Sequence, residues 1–156
     1  MSSVRTRYPA PLIKNTMKKL LTVLALSVFA VSSYAANEMV LPIRGVADGD
    51  TIRTTLKLPC PLCNVSVRIL GIDTPESTFL AKCDKEKAKG LEAKEFVATM
   101  VQGQPNMVIK NFKWDKYGGR IDAYVEINGV SVGETPIKNG LAKPYTGEGP
   151  KPDWCN

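Results

Sequence analysis

Apolar residues along the chain change spacing several times, and each spacing predicts a different element. From Met39 to Ala47 the residues suit a strand, with Pro42 tolerable near an edge or a strand start. Asp48-Gly49 then signals a tight hairpin turn. Ile52, Thr54, Leu56 and Leu58 alternate with polar neighbours, as a half-buried strand does. Beyond a Pro/Cys loop at Pro59-Cys60-Pro61, the alternation Val65, Val67, Ile69 predicts a third strand ending near Gly71-Ile72. Between Asp84 and Val101 the period becomes helical: Ala93, Phe96, Val97, Met100 and Val101 share one face, and Asp84 is placed to cap. Gly90 inside that helix costs about 1 kcal/mol relative to alanine. Strands are predicted again at Asn106 to Phe112 and at Arg120 to Ile127, joined by the loop Asp115-Lys116-Tyr117-Gly118-Gly119. Asn128-Gly129 makes a further tight turn. Ser131 and Glu134 form a capping box opening a short helix to Asn139, which Pro136 shortens and Gly140 ends.

Five short strands with a main helix between the third and fourth, and a short helix at the end, predict an α+β chain with a five-stranded OB-fold barrel. The length of 156 residues favours one domain. Its boundary is expected at Ala36. Met17-Lys18-Lys19, an apolar run from Leu20 to Val31, and Ser33-Tyr34-Ala35 read as a secretory signal cleaved after Ala35, with Met17 as an alternative start. That run falls short of the roughly 20 apolar residues of a membrane span. The expectation is therefore an exported domain over residues 36–156, periplasmic or secreted, with no membrane span after signal cleavage.

Removing the leader changes the electrostatics. The chain's formal charge is +6, but five basic and no acidic residues precede Ala36, leaving 16 basic against 15 acidic. General attraction to polyanions is then weak, and any phosphate affinity must come from local placement. The lysines at 82, 85, 87, 89 and 94 alternate with Asp84, Glu86, Glu92 and Glu95, so they read as a solvated helix face.

Four cysteines, Cys60, Cys63, Cys83 and Cys155, follow the leader. In an oxidising compartment an even count suggests disulfides. Three pairings are open, and Cys60-Pro61-Leu62-Cys63 could also serve redox or zinc chemistry. The pairing we favour is Cys83 with Cys155, which would tie the tail to the start of the main helix and stabilise by about 4 kcal/mol. Cys60–Cys63 is then left as the second pair.

The chain contains no histidine, which excludes a His base, a His-metal centre and a Ser-His-Asp triad. The candidate chemistry lies in two acidic turns, Asp48-Gly49-Asp50-Thr51 and Ile72-Asp73-Thr74-Pro75-Glu76, with Arg68 on the strand before the second. Carboxylates gathered this closely repel one another, so a divalent cation is the natural partner. All-oxygen ligands suggest calcium or magnesium. A fixed arginine beside such an ion suits a phosphate, which it can grip with two parallel hydrogen bonds. Metal-assisted phosphodiester chemistry is the first hypothesis. Arg68 and Asp73 stand an odd number of residues apart, so a regular strand would point them to opposite faces. A bend or bulge at Gly71 is predicted to restore the phase.

Together with Asp115-Lys116-Tyr117-Gly118, Arg120 and Gly140-Leu141-Ala142-Lys143-Pro144-Tyr145, these motifs resemble the thermonuclease (staphylococcal nuclease-like) family, from about Val40 to Tyr145. The resemblance implies an OB-fold, calcium, and cleavage of DNA and RNA to 3′-phosphate ends; a monomer is expected. It implies that Asp50, Asp73 and the Thr74 carbonyl ligate calcium, with Asp48 nearby through water. Glu76 takes the position of the general base, and Arg68 and Arg120 those that hold the scissile phosphate. Lys116, Tyr117 and Tyr145 fall where the nucleotide is contacted. The loop before Arg120 is one residue longer than in the best-known member. The Cys60/Cys63 loop and the Trp154-Cys155 tail suggest a disulfide-braced, exported branch.

Each residue also has a plain structural reading. Asp48-Gly49 could be only a turn, Asp73 a cap, Arg68 an exposed strand residue, and Arg120 a partner of Asp115 or Asp122. One metal-and-phosphate site explains them jointly. The rival reading is an exported, non-catalytic OB-fold that binds oligonucleotides or other anions. A phosphodiesterase of small nucleotides is a further one.

Overall fold

In the computed structural model, which describes residues 37–59, 63–116 and 118–156, the alternating segments form a curled mixed sheet. The strands are β1 (Glu38–Pro42), β2 (Gly45–Asp48), β3 (Thr51–Thr55), β4 (Asn64–Ile69), β5 (Gly71–Asp73), β6 (Asn106–Trp114), β7 (Arg120–Ile127), β8 (Val130–Ser131) and β9 (Lys143–Tyr145). The helices are α1 (Asp84–Val101) and α2 (Glu134–Lys138). The expected leader, Cys60 with its pairing to Cys63, and Tyr117 lie outside the described residues. No helix among the described residues is long and apolar enough to cross a membrane.

The main sheet runs β1-β6-β7-β4-β3-β2, with β8 beside β7, and β5 pairs separately with β9. All pairings are antiparallel except β4 with β7. The strand expected over Met39 to Ala47 is split after Pro42, which has no N–H to continue a ladder. Its halves occupy opposite edges of the sheet although only Ile43 and Arg44 separate them. The sheet must therefore curl until its edges approach, and Thr54 Oγ1 donates to the Pro42 carbonyl at 2.7 Å across the gap. Counted as one bent strand, β1 and β2 complete a five-stranded OB-like arrangement with β3, β4, β6 and β7. The ladder itself is an open path, not a closed ring.

The core holds the alternating positions read in β4 and the first part of β3, joined by inward residues of β6 and β7. Ile52, Val65, Val67, Ile69, Met107, Ile109, Ile121, Ala123, Val125 and Ile127 point inward and meet Val97 and Val101 of α1. Leu58, expected inside, is exposed because β3 stops at Thr55, before the Pro/Cys loop.

Two helix starts differ from expectation. Cys83, not Asp84, is the N-cap of α1: its backbone is extended and its Sγ accepts from the Glu86 N–H at 3.4 Å. Glu86 reaches back to the Lys82 N–H at 2.7 Å, leaving Asp84 in the first turn, where its charge suits the helix dipole. Cys83 is also bonded to Cys155. The second helix begins at Glu134, three residues later than Ser131, although Ser131 Oγ still accepts from the Glu134 N–H at 3.2 Å. Pro136 then falls in the first turn, where N–H groups have no partner within the helix and its missing donor costs little.

Candidate active site

Gly71 is the joint on which the site depends. Its φ of +84° breaks the strand between β4 and β5, and β5 leaves the main sheet to pair with β9. This supplies the bend needed for the odd spacing. Arg68, on β4, and Asp73, at the end of β5, meet with Nη2 and Oδ1 3.4 Å apart. The other terminal nitrogen of Arg68 lies 2.6 Å from Asp50 Oδ2. Asp50 sits in the turn between β2 and β3, and Thr51, the first residue of β3, is opposite Arg68 in the ladder. Three segments distant in sequence thus converge.

Both aspartates are buried, at 3% and 1% exposure, which makes their hydrogen bonds decisive. Asp50 accepts from Thr51 Oγ1 at 2.9 Å and from the Thr74 N–H at 3.4 Å. Asp73 accepts from the indole N–H of Trp154 at 3.1 Å. Asp48 lies at the edge of the group, its Oδ1 accepting from the Gly49 N–H at 3.0 Å. Burial raises the Asp48 pKa above the ordinary carboxylate value. Repulsion from Asp50 and Glu76 adds to the rise, against the pull of Ser77 and the Gly49 amide.

Glu76 joins the cluster through a residue that motif reading missed. Lys151 Nζ lies 3.2 Å from Asp73 Oδ1 and 3.2 Å from Glu76 Oε1. Burial disfavours its charge, but attraction and hydrogen bonds from Asp73 and Glu76 outweigh this and raise its pKa above the usual lysine value. The tail that carries Lys151 is fastened by the Cys83–Cys155 disulfide, and Trp154 is buried between Asp73 and the Nζ groups of Lys143 and Lys89. Only the even cysteine count and the tryptophan beside Cys155 hinted at this.

Gly90 also has a use. A Cβ there would stand 2.4 Å from the Glu76 carbonyl oxygen and 2.7 Å from the Ser77 nitrogen. The helix and the loop carrying Glu76 touch backbone to backbone, which only glycine permits. Gly49 packs almost as closely, with Thr74 and Ala93 3.0 Å from where its Cβ would be.

The remaining candidates are placed differently. Arg120 opens β7 beside Ser66 and is held through Nε and Nη2 by Asp115, the pairing foreseen as its plain structural alternative. Lys116 is exposed in the turn after β6. Tyr145, on β9, stands opposite Gly71 and donates its hydroxyl to the Gly149 carbonyl at 3.1 Å.

A divalent cation fits this donor set. The donors are all oxygen, and the ammonium of Lys151 already stands between two carboxylates as a cation would. Thr74 Oγ1 is buried beside them without a hydrogen-bond partner. Four carboxylates face two cations, Arg68 and Lys151, leaving a formal charge that a divalent ion would cancel. Among the described residues no three acidic side chains converge closely enough to hold an ion unaided. Asp50 and Asp73 would need a carbonyl, such as that of Thr74, and water to complete the shell.

Residues 66–153 match a family model described as staphylococcal nuclease homologue. The chain is also 39% identical over 100 residues to the SPbeta prophage-derived endonuclease YokF of Bacillus subtilis (strain 168). That match covers 62% of this chain and 31% of the relative, so the chain spans about a third of that protein's length.

Proposed function

Because the chain belongs to the staphylococcal nuclease homologue family, we propose that it is an exported, calcium-dependent nuclease that hydrolyses phosphodiester bonds of DNA, RNA or both as a monomer. The observation that carries this reading is Arg68 bridging two buried aspartates while Lys151 links one of them to Glu76. Asp50 and Asp73, with the Thr74 carbonyl and Asp48 through water, would hold the calcium. The ion, when bound, supplies charge to neutralise the phosphate and orient the nucleophile.

The protein's own groups do the rest. Arg68, fixed by its two carboxylates, binds the scissile phosphate and meets the charge that grows on its oxygens. Glu76 accepts the proton of the attacking water. Arg120 adds a second guanidinium to the phosphate, turning from Asp115 to do so. Lys116, Tyr117 and Tyr145 contact the nucleotide. Release of the 5′-oxygen leaves 3′-phosphate ends. The Cys83–Cys155 disulfide supports an oxidising compartment, periplasmic or extracellular.

Digestion of denatured DNA and of RNA with added calcium, with chelator, and with the Asp50→Ala and Glu76→Gln variants tests this reading. Cleavage should require calcium and fail in Asp50→Ala. Glu76→Gln should be slower by roughly 10² to 10⁴ while still binding DNA, the scale of general-base removal. Chelator-insensitive cleavage would overturn the metal's role, and binding without cleavage would favour a non-catalytic oligonucleotide-binding protein.

A further inference from the structure

We propose that Arg44 and Arg53 form a second phosphate site, which holds the backbone of a single-stranded nucleic acid away from the bond being cut. The proposal rests on the nuclease reading of Arg68. It begins from register. In the β3–β4 ladder Thr51 lies opposite Arg68 and Arg53 opposite Ser66. Directly opposed residues share a face, and so do alternate residues of one strand. Val65, Val67 and Ile69 point into the core, so Arg68, Ser66 and Arg53 lie together on the outer face. In the parallel β4–β7 ladder Arg120 stands beside Ser66. From Arg68 the outer face thus continues past Ser66, flanked by Arg120, to Arg53. The step from Arg68 to Arg53 is about 8 Å between Cα atoms, from the spacings of strands and residues in a sheet.

At the far end is a shallow cavity of about 330 Å³, lined by Arg44, Arg53, Asn64, Ser66 and Gly119 among others. Gly119 directly precedes Arg120, and its carbonyl accepts from the Ser66 N–H at 3.1 Å. The cavity therefore borders the start of β7, which carries Arg120, while Arg68 lies two residues beyond Ser66 along β4.

Charge separates these two arginines from the others. Arg68 and Arg120 are each paired with aspartate. Arg44 and Arg53 bond only to neutral oxygens: Arg44 Nε donates to Thr55 Oγ1 and Arg53 Nη1 to the Val46 carbonyl, both at 3.3 Å. Among the described residues neither has a carboxylate partner. Each guanidinium has five N–H donors, so these bonds orient it without neutralising it and leave most donors for a ligand. Two oriented, uncompensated guanidinium groups beside one shallow hollow suit phosphodiester oxygens. A chain with 16 basic against 15 acidic residues after Ala35 has little general attraction to nucleic acid, so such local sites must supply it.

The test compares the full chain with an Arg44→Ala/Arg53→Ala double variant on two substrates, a long single-stranded oligodeoxynucleotide and a 5′-phosphorylated dinucleotide. Both arginines are exposed, so the fold should survive, which circular dichroism checks. On the long substrate KM should rise several-fold. The slope of log(kcat/KM) against log salt should become shallower by about 1.4, about 0.7 for each lost contact. Dinucleotide kinetics should not change. Equal losses on both substrates, or no change on either, would overturn the proposal. If the wild-type protein cuts neither, the nuclease reading fails instead. Anisotropy of a labelled oligonucleotide then decides the site: weaker binding by the double variant supports it, and equal binding overturns it.

Discussion

Arg68 is the cation that two buried carboxylates share, so its removal should affect stability and chemistry separately. In Arg68→Ala, Asp50 loses its nearest cation, while Asp73 keeps Lys151 and Trp154. Breaking a buried pair by removing one partner costs about 3 to 5 kcal/mol, and the remaining partners of Asp73 place the expected loss near 3 kcal/mol. Urea unfolding in chelator measures it. Turnover on single-stranded DNA should fall by roughly 10² or more if the guanidinium also stabilises developing charge. A large loss of stability with normal turnover would assign Arg68 to structure alone. Asp48 gives a prediction of opposite sign. Its pKa is raised in the folded state above the ordinary 3.8, so holding it ionised there costs stability at neutral pH. Asp48→Asn should therefore have the higher Tm at neutral pH without calcium. The gain should shrink as pH falls through the raised pKa and vanish near the unfolded value. A variant no more stable at neutral pH would contradict it.

At the scale of elements, the helix and the loop that carries Glu76 are tied through one glycine. On helix propensity alone Gly90→Ala should stabilise by about 1 kcal/mol. The contact with the Glu76 backbone reverses that expectation, because a Cβ 2.4 Å from a carbonyl oxygen must push the loop away. We expect a lower Tm and a lower kcat with KM little changed, since Glu76 moves while Arg68 on β4 stays. A stable, fully active alanine variant would show that the loop yields freely. From sequence this glycine reads only as a cost in a helix, because its neighbour, Glu76, lies on a separate element. Gly71 was legible for a different reason: the spacing of Arg68 and Asp73 could not be satisfied without a break between them.

For the whole molecule, the disulfide decides where the tail goes. Cys83 and Cys155 are 72 residues apart, and their bond holds Lys151 and Trp154 against the acidic cluster. Reduction should cost about 4 kcal/mol of stability and release Trp154 from its buried position. Its fluorescence should shift to longer wavelength over the steady background of exposed Trp114, and activity should fall as Asp73 and Glu76 lose a shared cation. Unchanged emission and activity in the reduced protein would show that packing alone retains the tail.

What the sequence determined by itself were features with a short period or a local chemistry. Strand alternation, the α1 face, the turns at Asn128-Gly129 and Gly140, and the acidic motifs all depend on residues a few positions apart. The tertiary structure alone decided which distant groups meet. Glu76 and Lys151 are separated by 75 residues and Asp73 and Trp154 by 81, and no local pattern encodes such contacts. It also decided that Arg120 rests on Asp115 and that Cys83 caps α1. Side-chain partners follow from the path of the whole backbone, which the curled sheet and one disulfide bring to a common rim.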